Sequence, residues 1–303
     1  MPSVSISQIT LTSNDFADGG DTVRMSTTTD LAIDITTTGA NQTWDYSGLV
    51  AESQYLMDFQ DMSNASFIVD LLFGTFASQD YQASYYLPNE DLPLDQVGGF
   101  LPVNITDVFQ FSKKMNDSIT SVGYAISVDG NEVPFKSDTI ETRYKLPLNF
   151  SDTYSSRGYT NMDLNPFVDA IWRQYRQRSS EVDGWGSITT PYGTFDALRI
   201  KHTISEVDSI RFDIFGTGSP IWIPLTLPDS YVYEWWTNNE KEAVLRINTS
   251  VIAGNEVVSR IEYKDNYQVL NTNEISANSN YKIYPNPVMS SLNISGLEKA
   301  IYY

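Results

Sequence analysis

Alternation of apolar and polar residues is the dominant pattern in the second half of the chain. In TFDALRIKHTISEV (194–207), four residues of one parity form a face that is apolar apart from a histidine: Leu198, Ile200, His202 and Ile204. The other parity is polar: Arg199, Lys201, Thr203 and Ser205. A period of two is typical of a half-buried strand. The pattern predicts a strand that buries His202, the single histidine of the chain.

Turn signals divide the neighbouring sequence into further strands. The turn TPYG (190–193) predicts that DGWGSITT (183–190) pairs with the strand above. The segments SYVYEWWT (230–237) and AVLRINTSVI (243–252) flank the polar turn NNEK, and AGNE (253–256) leads into VVSRIEYK (257–264). Asp129-Gly130 lies between two β-rich arms, as in a hairpin. These segments predict an antiparallel arrangement.

Helical patterns are few. NASFIVDLLFGTF (64–76) predicts one short helix. NPFVDAIWRQY (165–175) fits either a helix, with Asn165 as cap and Pro166 in the first turn, or a loop entering a strand. We predict an all-β main domain over residues 1–270, built as an antiparallel sandwich or a strongly curved sheet. A polar linker (271–280) and the start of a second domain (281–303) follow.

Charge and composition narrow the function classes. The formal net charge is −19, from 19 basic and 38 acidic residues. Nucleic acids and anionic membrane surfaces need basic patches, so we predict neither as a partner. No apolar run approaches the ~20 residues of a transmembrane helix, and we predict no transmembrane segment. The N-terminus, MPSVSISQI, lacks signal-peptide character, which fits either a chain without one or a mature form with an added Met.

The chain has no cysteine and one histidine, so thiol nucleophiles, disulfides and zinc sites of the usual type are excluded. Nucleophile-elbow, phosphate-loop and dinucleotide motifs do not occur. Paired carboxylates are the remaining catalytic apparatus, as in a glycoside hydrolase: Glu181 with Asp183, Glu206 with Asp208, and Glu234 beside Trp235. An acidic chain produces such pairs by chance, so we predict a protein that is not an enzyme.

Aromatic residues favour a binding function. The chain has 6 Trp and 19 Tyr, and rings near carboxylates and amides suit the faces and hydroxyls of sugars. We predict a site for a glycan or another small amphiphile, with these ligand-binding residues: Trp185, Tyr192, Tyr233, Trp235 and Trp236. Trp235 and Trp236 lie on opposite faces of a strand, so at least one belongs to the core. A structural or adhesive surface protein and a carboxylate-based hydrolase stay open as alternatives.

Two acidic segments are candidates for calcium. NDFADGGD (14–21) and DLNPFVD (163–169) are rich in oxygen ligands, although neither has the spacing of an EF-hand. Solvated acidic loops are the preferred interpretation, and we predict no cofactor.

The C-terminal segment carries a family resemblance. NYKIYPNPVMSSLNIS (280–295) resembles the opening of the C-terminal sorting domain of proteins exported by the type IX secretion system of Bacteroidetes. There, a strand ends in a Tyr-Pro-Asn-Pro corner, here Tyr284, Pro285, Asn286 and Pro287, and the next strand begins with a Leu-x-Ile alternation, here Leu292 and Ile294. Two prolines cannot sit inside a central strand, so a corner is also the physical expectation. The resemblance implies the secretion machinery as a partner and a secreted or outer-surface location. Such domains usually continue further, so we expect this one to be incomplete.

The main domain resembles uncharacterised extracellular domains that carry such tails. The matching segments are ITLTSNDFADGGDTV (9–23), TGANQTWDYSGL (38–49) and DGWGSITTPYGTFDALRIK (183–201), and the resemblance implies no activity. Bacteroidetes O-glycosylation favours Asp followed by Ser or Thr and then an aliphatic residue. The resemblance therefore implies four candidate sites: Thr22, Ser118, Thr139 and Ser209.

We predict that the main domain folds without the tail, because it contains the paired strands and nearly all large aromatic residues. Ending the chain at Asn273 is expected to leave the thermal unfolding midpoint nearly unchanged. The residues from Tyr281 onward supply an incomplete set of strands, and two strands alone are marginal in water. Differential scanning calorimetry of both chains measures this, and unfolding of the shortened chain would place the tail in the core.

The same reasoning extends to the cell. In the native host, disruption of Tyr284-Pro-Asn-Pro287 in the full-length protein is expected to cause accumulation in the periplasm instead of at the surface. Cell fractionation with an antibody to the main domain measures the distribution, and normal surface display would contradict the sorting interpretation.

Overall fold

The structure is a computed structural model, and it describes residues 8–89, 92–94, 101–213, 216–268, 282–284 and 293–295. The chain divides into two compact units, residues 1–267 and 268–303. The predicted linker (271–280) lies outside the described residues, and the predicted domain boundaries stay predictions.

The described part of the first unit contains fifteen strands and a single α-helix. The strands are β1 (Thr22–Thr27), β2 (Gly39–Asp45), β3 (Ser53–Asp58), β4 (Gln60–Asp61), β5 (Tyr85–Pro88), β6 (Ile105–Lys114), β7 (Ser118–Val128), β8 (Asn131–Lys145), β9 (Thr153–Asp163), β10 (Ala170–Thr190), β11 (Gly193–Phe212), β12 (Ile221–Leu225), β13 (Ser230–Trp236), β14 (Leu245–Ile252) and β15 (Asn255–Lys264). The helix is α1 (Phe67–Phe73), and 3₁₀ turns occur at Ser13–Asp15, Met62–Asn64 and Gln79–Tyr81.

These strands form one sheet. Its order is β3-β1-β15-β14-β13-β11-β10-β9-β8-β7-β6-β5-β4, with β12 also on β11 and β2 also on β10. The pairings are antiparallel except that of β2 with β10, which is parallel. The outermost strands, β3 and β4, are separated along the chain only by Phe59. The sheet therefore curves until its two edges meet, and it is nearly closed. The all-β prediction is confirmed, with a strongly curved sheet as the architecture.

The predicted hairpins are confirmed. β10 and β11 pair antiparallel up to the turn, where Thr190 lies opposite Gly193. β13, β14 and β15 pair in succession. The two-residue loop between β7 and β8 has positive φ at both positions, 49° at Asp129 and 80° at Gly130. That conformation is the one that Asp-Gly favours in a tight hairpin.

The helix predictions have different outcomes. α1 lies inside the predicted segment 64–76, Ser66 Oγ accepts from the Val69 amide, and the helix buries Val69 and Phe73. The helical interpretation of 165–175 is wrong, because β10 begins at Ala170. The alternative of a loop entering a strand holds, since burial alternates with period two from Ala170 onward.

β11 has the predicted inner face but an unexpected outer one. Leu198, Ile200 and His202 are fully or almost fully buried, as predicted. Arg199 has the opposite parity, yet it is only 1 % exposed. The segment that contains β2 covers this part of the outer face, where Trp44 and Tyr46 pack in one cluster with Trp235. The sheet therefore has two buried faces in this region.

The second unit contains two described strands. β16 (Lys282–Tyr284) pairs antiparallel with β17 (Asn293–Ser295), so Tyr284 ends a strand. Pro285, Asn286 and Pro287 lie outside the described residues. Among the described residues of the whole chain, no helix has the length and apolar character needed to cross a bilayer.

We expect Gly186→Ala to destabilise the protein, because β2 approaches β10 too closely for a side chain. A Cβ at Gly186 would lie 2.0 Å from the carbonyl oxygen of Gln42 and 2.5 Å from its nitrogen. These are backbone atoms, so a rotamer change cannot relieve the clash. Urea denaturation is expected to show a loss of about 1–3 kcal/mol in the free energy of unfolding.

Gly48→Ala is the matched control, because a Cβ at Gly48 meets no atom within 4 Å. It is expected to change the free energy of unfolding by no more than about 0.5 kcal/mol. Equal stabilities of the two variants would show that β2 does not lie against β10 in this way.

Candidate functional site

A cavity of about 1590 Å³ lies inside the curved sheet. Its lining comes from strands around the whole sheet: β3, β4, β5, β6, β7, β8, β10, β11, β13, β14 and β15. In the described part of the chain, β3 pairs with β1, β5 pairs with β4 and β6, and no pairing joins β3 to β5. Both line the cavity, and Leu56 of β3 is 54 % exposed. The cavity is open to solvent, and these two strands, which are not paired with each other, border it.

The long hairpin of β10 and β11 shows how the inner wall is layered. At one end, Val182 lies opposite Ile200 in an apolar cluster. At the other end, Trp172 lies opposite Ile210 in a second apolar cluster. Between the two ends, the inward positions of β10 are polar or charged: Gln174, Arg176, Arg178 and Ser180. The interior is thus a charged band between two apolar ends.

Glu234 is the centre of this band. Its Oε2 accepts hydrogen bonds from Tyr144 Oη at 2.7 Å and Trp236 Nε1 at 2.7 Å, and His202 Nε2 lies at 3.3 Å. Its Oε1 accepts from Arg246 Nε at 2.9 Å. Burial alone would raise the pKa of Glu234, but Arg246 and then His202 hold it well below its ordinary value. The carboxylate is therefore ionised, and its partners come from β8, β11, β13 and β14.

His202 belongs to this network and is confirmed as buried. Its Nδ1 lies 2.7 Å from Ser180 Oγ, directly across from it in the β10–β11 register. Burial lowers the pKa of His202, and the hydrogen bond with Glu234 opposes that effect. The residue is a neutral, hydrogen-bonded part of the wall.

Arg246 joins Glu234 to two further carboxylates. Its Nη2 lies 2.6 Å from Glu242 Oε1, and its Nη1 lies 4.0 Å from Glu262 Oε2. Glu262 also accepts from the Tyr55 hydroxyl, and Arg260 Nη2 lies 2.8 Å from its Oε1. Burial raises the pKa of Glu242, and Arg246 opposes this. This side of the band is rich in carboxylates.

The opposite side is rich in arginines. Arg178 Nε lies 2.6 Å from Glu141 Oε1, and Arg143 donates to Gln110. Burial would raise the pKa of Glu141, but Arg178, followed by Arg176 and Arg143, lowers it overall. The charges of the band are therefore compensated within the protein.

Glu206 and Asp208 form a proton-sharing pair at the edge of the band. Glu206 accepts from Gln174 and Arg176, and Asp208 Oδ2 accepts from Trp172 Nε1 at 2.8 Å. A side-chain hydrogen bond joins the two acids, and burial, followed by the Glu206 charge, raises the pKa of Asp208 to about 8. Asp208 Oδ1 receives no hydrogen bond from an N–H or O–H group of the described residues, which suits an oxygen that carries the proton itself.

The five aromatic residues predicted to bind a ligand do not converge on one surface. Trp235 is fully buried in the outer cluster, whereas Trp236 faces the cavity and contacts Phe16. Tyr233 is 3 % exposed and lines a separate crevice on the outer face. Trp185 packs against the inner apolar cluster, and Tyr192 stacks on Phe195. The cavity is bordered by other rings that the sequence analysis did not select, among them half-buried Tyr55, whose hydroxyl donates to Glu262, and buried Tyr85 and Tyr144.

The three predicted carboxylate pairs are also distributed over both faces. A register shift between Val182 and Gly184 separates exposed Glu181 from half-buried Asp183, which pairs with Arg199 at 2.8 Å. Glu206 and Asp208 are brought together on the inner face, as described above. Glu234 faces inward while Trp235 faces outward.

The remaining candidate residues lie in strands or in hydrogen-bonded loops. Thr22 and Thr139 are exposed, and Ser118 and Ser209 are half-buried. In the first acidic segment Asp15 accepts from the Thr12 and Asn239 amides, and Asp18 pairs with Lys114 at 2.7 Å. In the part of the chain that the structure describes, no three acidic or histidine side chains are grouped to hold a metal ion.

Sequence reasoning missed the arginines of the band. A signal was present in β10, where Arg176 and Arg178 have the same parity as Trp172 and Val182. In a strand with one apolar face, charged residues normally occupy the alternate positions that face solvent. Two arginines at the positions that face inward therefore indicate a polar interior.

We expect Asp208→Asn to change the pH dependence of stability. The folded protein keeps the Asp208 proton up to a pH of about 8, whereas the ordinary pKa of the carboxyl is 3.8. The stabilising contribution of this group is full below pH 4 and is lost as the pH rises towards 8. Asparagine imitates the protonated acid and has no proton to lose. The stability of the variant relative to the wild type should therefore increase steadily from pH 4 to pH 8.

Urea denaturation at successive pH values measures this difference. Asp196→Asn, at an exposed position of the same strand, controls for the removal of one negative charge. A difference between Asp208→Asn and the wild type that is constant over this interval would show that Asp208 is ionised in the folded state.

Known proteins show little similarity to this chain. No protein-family model matches the chain, and no curated protein matches it. Among solved structures, a similar chain is that of a presumed exported protein with a YmcC-like fold from Bacteroides fragilis NCTC 9343. The two chains are 12 % identical, the match covers 52 % of this chain and 85 % of the other, and the TM-score is 0.21. A likeness this low supports no argument about fold or function.

Proposed function

We propose that the protein is a secreted or surface-displayed binding protein, without enzymatic activity, that takes a small amphiphile into the cavity of its curved sheet. The observation that carries the proposal is the two-part lining of this cavity. Its wall contains the charged band around Glu234, and the remainder is lined by apolar and aromatic side chains near the opening. A molecule with a polar head and an apolar body matches both parts.

The apolar part of the lining comes from several segments. Leu56 and Met57 belong to β3, Leu87 belongs to β5, and Leu227 precedes β13. The rings of Tyr55 and Tyr85 border the same cavity and can pack against alkyl chains or sugar faces. The volume of about 1590 Å³ exceeds the roughly 300–1,000 Å³ of common ligand pockets, so the cavity accommodates a ligand together with water.

The carboxylates of the cavity favour binding over hydrolysis. A glycoside hydrolase needs two carboxyl groups about 5–5.5 Å or 6.5–9.5 Å apart on either side of the bond. Glu206 and Asp208 share a hydrogen bond instead, and both oxygens of Glu234 are occupied by donors of the protein. A purely structural role leaves the size and opening of the cavity unexplained.

Export is the second part of the proposal and has a separate basis. It depends on the resemblance of residues 280–295 to a type IX sorting domain. The secretion machinery is the partner that this implies.

Ligand binding can be tested by isothermal titration with octyl glucoside below its micellar concentration. Ile204→Trp places a large ring in the cavity, whereas Val207→Trp places it on the outer face of the same strand, where Val207 is 64 % exposed. We expect the wild type and Val207→Trp to bind alike. Ile204→Trp is expected to bind at least about tenfold more weakly, because the ring displaces apolar contacts.

Leu87→Trp, near the opening, is a second blocking variant if Ile204→Trp fails to fold. Glucose and octanol, the two halves of the probe, are each expected to bind more weakly than the whole. Binding that neither blocking variant reduces, or no binding by the wild type to alkyl glucosides of any chain length, would overturn the proposal and favour a structural role.

A further inference from the structure

A second concave site lies on the outer face of the sheet, apart from the cavity. This crevice has a volume of about 240 Å³ and the following lining: Ile35, Thr36, Thr38, Asp183, Arg199, Lys201, Tyr233 and Glu256. The side chains of Thr36, Thr38 and Glu256 are exposed, whereas Arg199 and Tyr233 are only 1 % and 3 % exposed. The crevice therefore has an open rim and a buried floor.

Strand register and the covering segment build the floor. Lys201 lies opposite Tyr233, and Arg199 lies opposite Trp235 in the β11–β13 pairing. The Arg199 guanidinium lies 4.7 Å from the centre of the Tyr233 ring. Its Nη1 lies 2.8 Å from Asp183 Oδ2, and its Nη2 donates to the Ile35 carbonyl. These contacts hold the Arg199 guanidinium and the Asp183 carboxylate in place, so the site is formed before a ligand binds.

Two buried polar atoms of the crevice have no protein partner among the described residues. They are Nε of Arg199, a donor, and Oδ1 of Asp183, an acceptor. Buried polar groups are almost always hydrogen-bonded, so such a pair indicates something that the chain itself does not supply. Water or a ligand that both donates and accepts would satisfy them.

The charges of the crevice select the class of ligand. Two cations, Arg199 and Lys201, face two carboxylates, Asp183 and Glu256. Lys201 has no carboxylate within ion-pair distance among the described residues, and its Nζ lies 4.6 Å from the centre of the Tyr231 ring. A bare anion would be repelled by the carboxylates, and a bare cation would be repelled by the two basic groups. A neutral molecule with several hydroxyl groups avoids both penalties, because each hydroxyl donates and accepts.

We propose that this crevice binds one neutral saccharide residue. One hydroxyl donates to the Asp183 carboxylate, and an adjacent hydroxyl accepts from Lys201 Nζ. The volume corresponds to that of roughly eight water molecules at ~30 Å³ each, which is room for one small ring. The site is distinct from the amphiphile cavity and does not depend on the function proposed for it. Of the aromatic residues selected from the sequence, Tyr233 alone lines it.

The test is saturation-transfer difference NMR with the full chain and four neutral sugars: glucose, galactose, mannose and N-acetylglucosamine. At least one sugar is expected to bind, and its affinity is then measured by titration. Lys201→Met and Asp183→Asn are each expected to weaken binding at least about tenfold, since each removes a charged partner of a hydroxyl. Glu181→Gln, an exposed change on the strand of Asp183, and Ile204→Trp, in the cavity, should leave the affinity unchanged.

Circular dichroism and thermal unfolding show whether each variant folds. Lys201 is half-buried at the rim, so Lys201→Met keeps the test valid if Asp183→Asn unfolds the chain. The proposal is overturned if none of the four sugars binds, which would mean that the crevice holds water only. It is equally overturned if the two crevice variants bind like the wild type, or if only Ile204→Trp loses binding, which would place the sugar in the cavity.

Discussion

The carboxylate of Glu234 organises the interior of this protein. Four side-chain partners surround it: three come from the adjacent strands β11, β13 and β14, and the fourth, Tyr144, comes from β8. Removing one partner of a buried, hydrogen-bonded ion pair typically costs about 3–5 kcal/mol, because a charge is then left without compensation. The Tyr144 bond in particular links two strands that are not neighbours in the sheet. This interaction therefore sets the distance across the interior as well as the local packing.

A polar interior has a general consequence for a curved sheet. Apolar side chains alone would draw the walls together, as in an ordinary core. Along β10 and β11 the apolar clusters lie at the two ends, and arginines and glutamates of several strands line the middle. Each buried charge needs a partner at hydrogen-bonding distance. The width of the interior is therefore set by the positions of these partners and not by the volume of packed apolar side chains. The same network leaves few oxygens of the band free for chemistry, which agrees with a binding role.

The sequence predicted local features well and long-range features poorly. Alternation located β11 and the burial of His202, and turn chemistry located the β7–β8 and β10–β11 hairpins. The sequence left a sandwich and a strongly curved sheet as alternatives. It could not decide between them, because closure depends on the pairing of β1 with β15, which lie far apart in the sequence; Met25, for example, lies opposite Lys264. The parallel contact of β2 with β10 was invisible for the same reason, so alternation placed Arg199 on a polar face that is in fact buried. The charged band escaped notice because its arginines and glutamates are scattered along the chain and become neighbours only in the closed sheet.

The connection between β3 and β4 bears on the kinetics of exchange. The chain joins β3 to β4 at Phe59, and no pairing of described residues links β3 to β5, so backbone hydrogen bonds do not close the sheet at this point. A molecule that passes through this gap breaks no strand pairing. Its rate of entry is then governed by rotation of side chains such as Leu56, which takes picoseconds to nanoseconds at exposed positions, and not by the far slower separation of strands. Entry of a small molecule at this point therefore requires no separation of paired strands, even though the sheet is nearly closed.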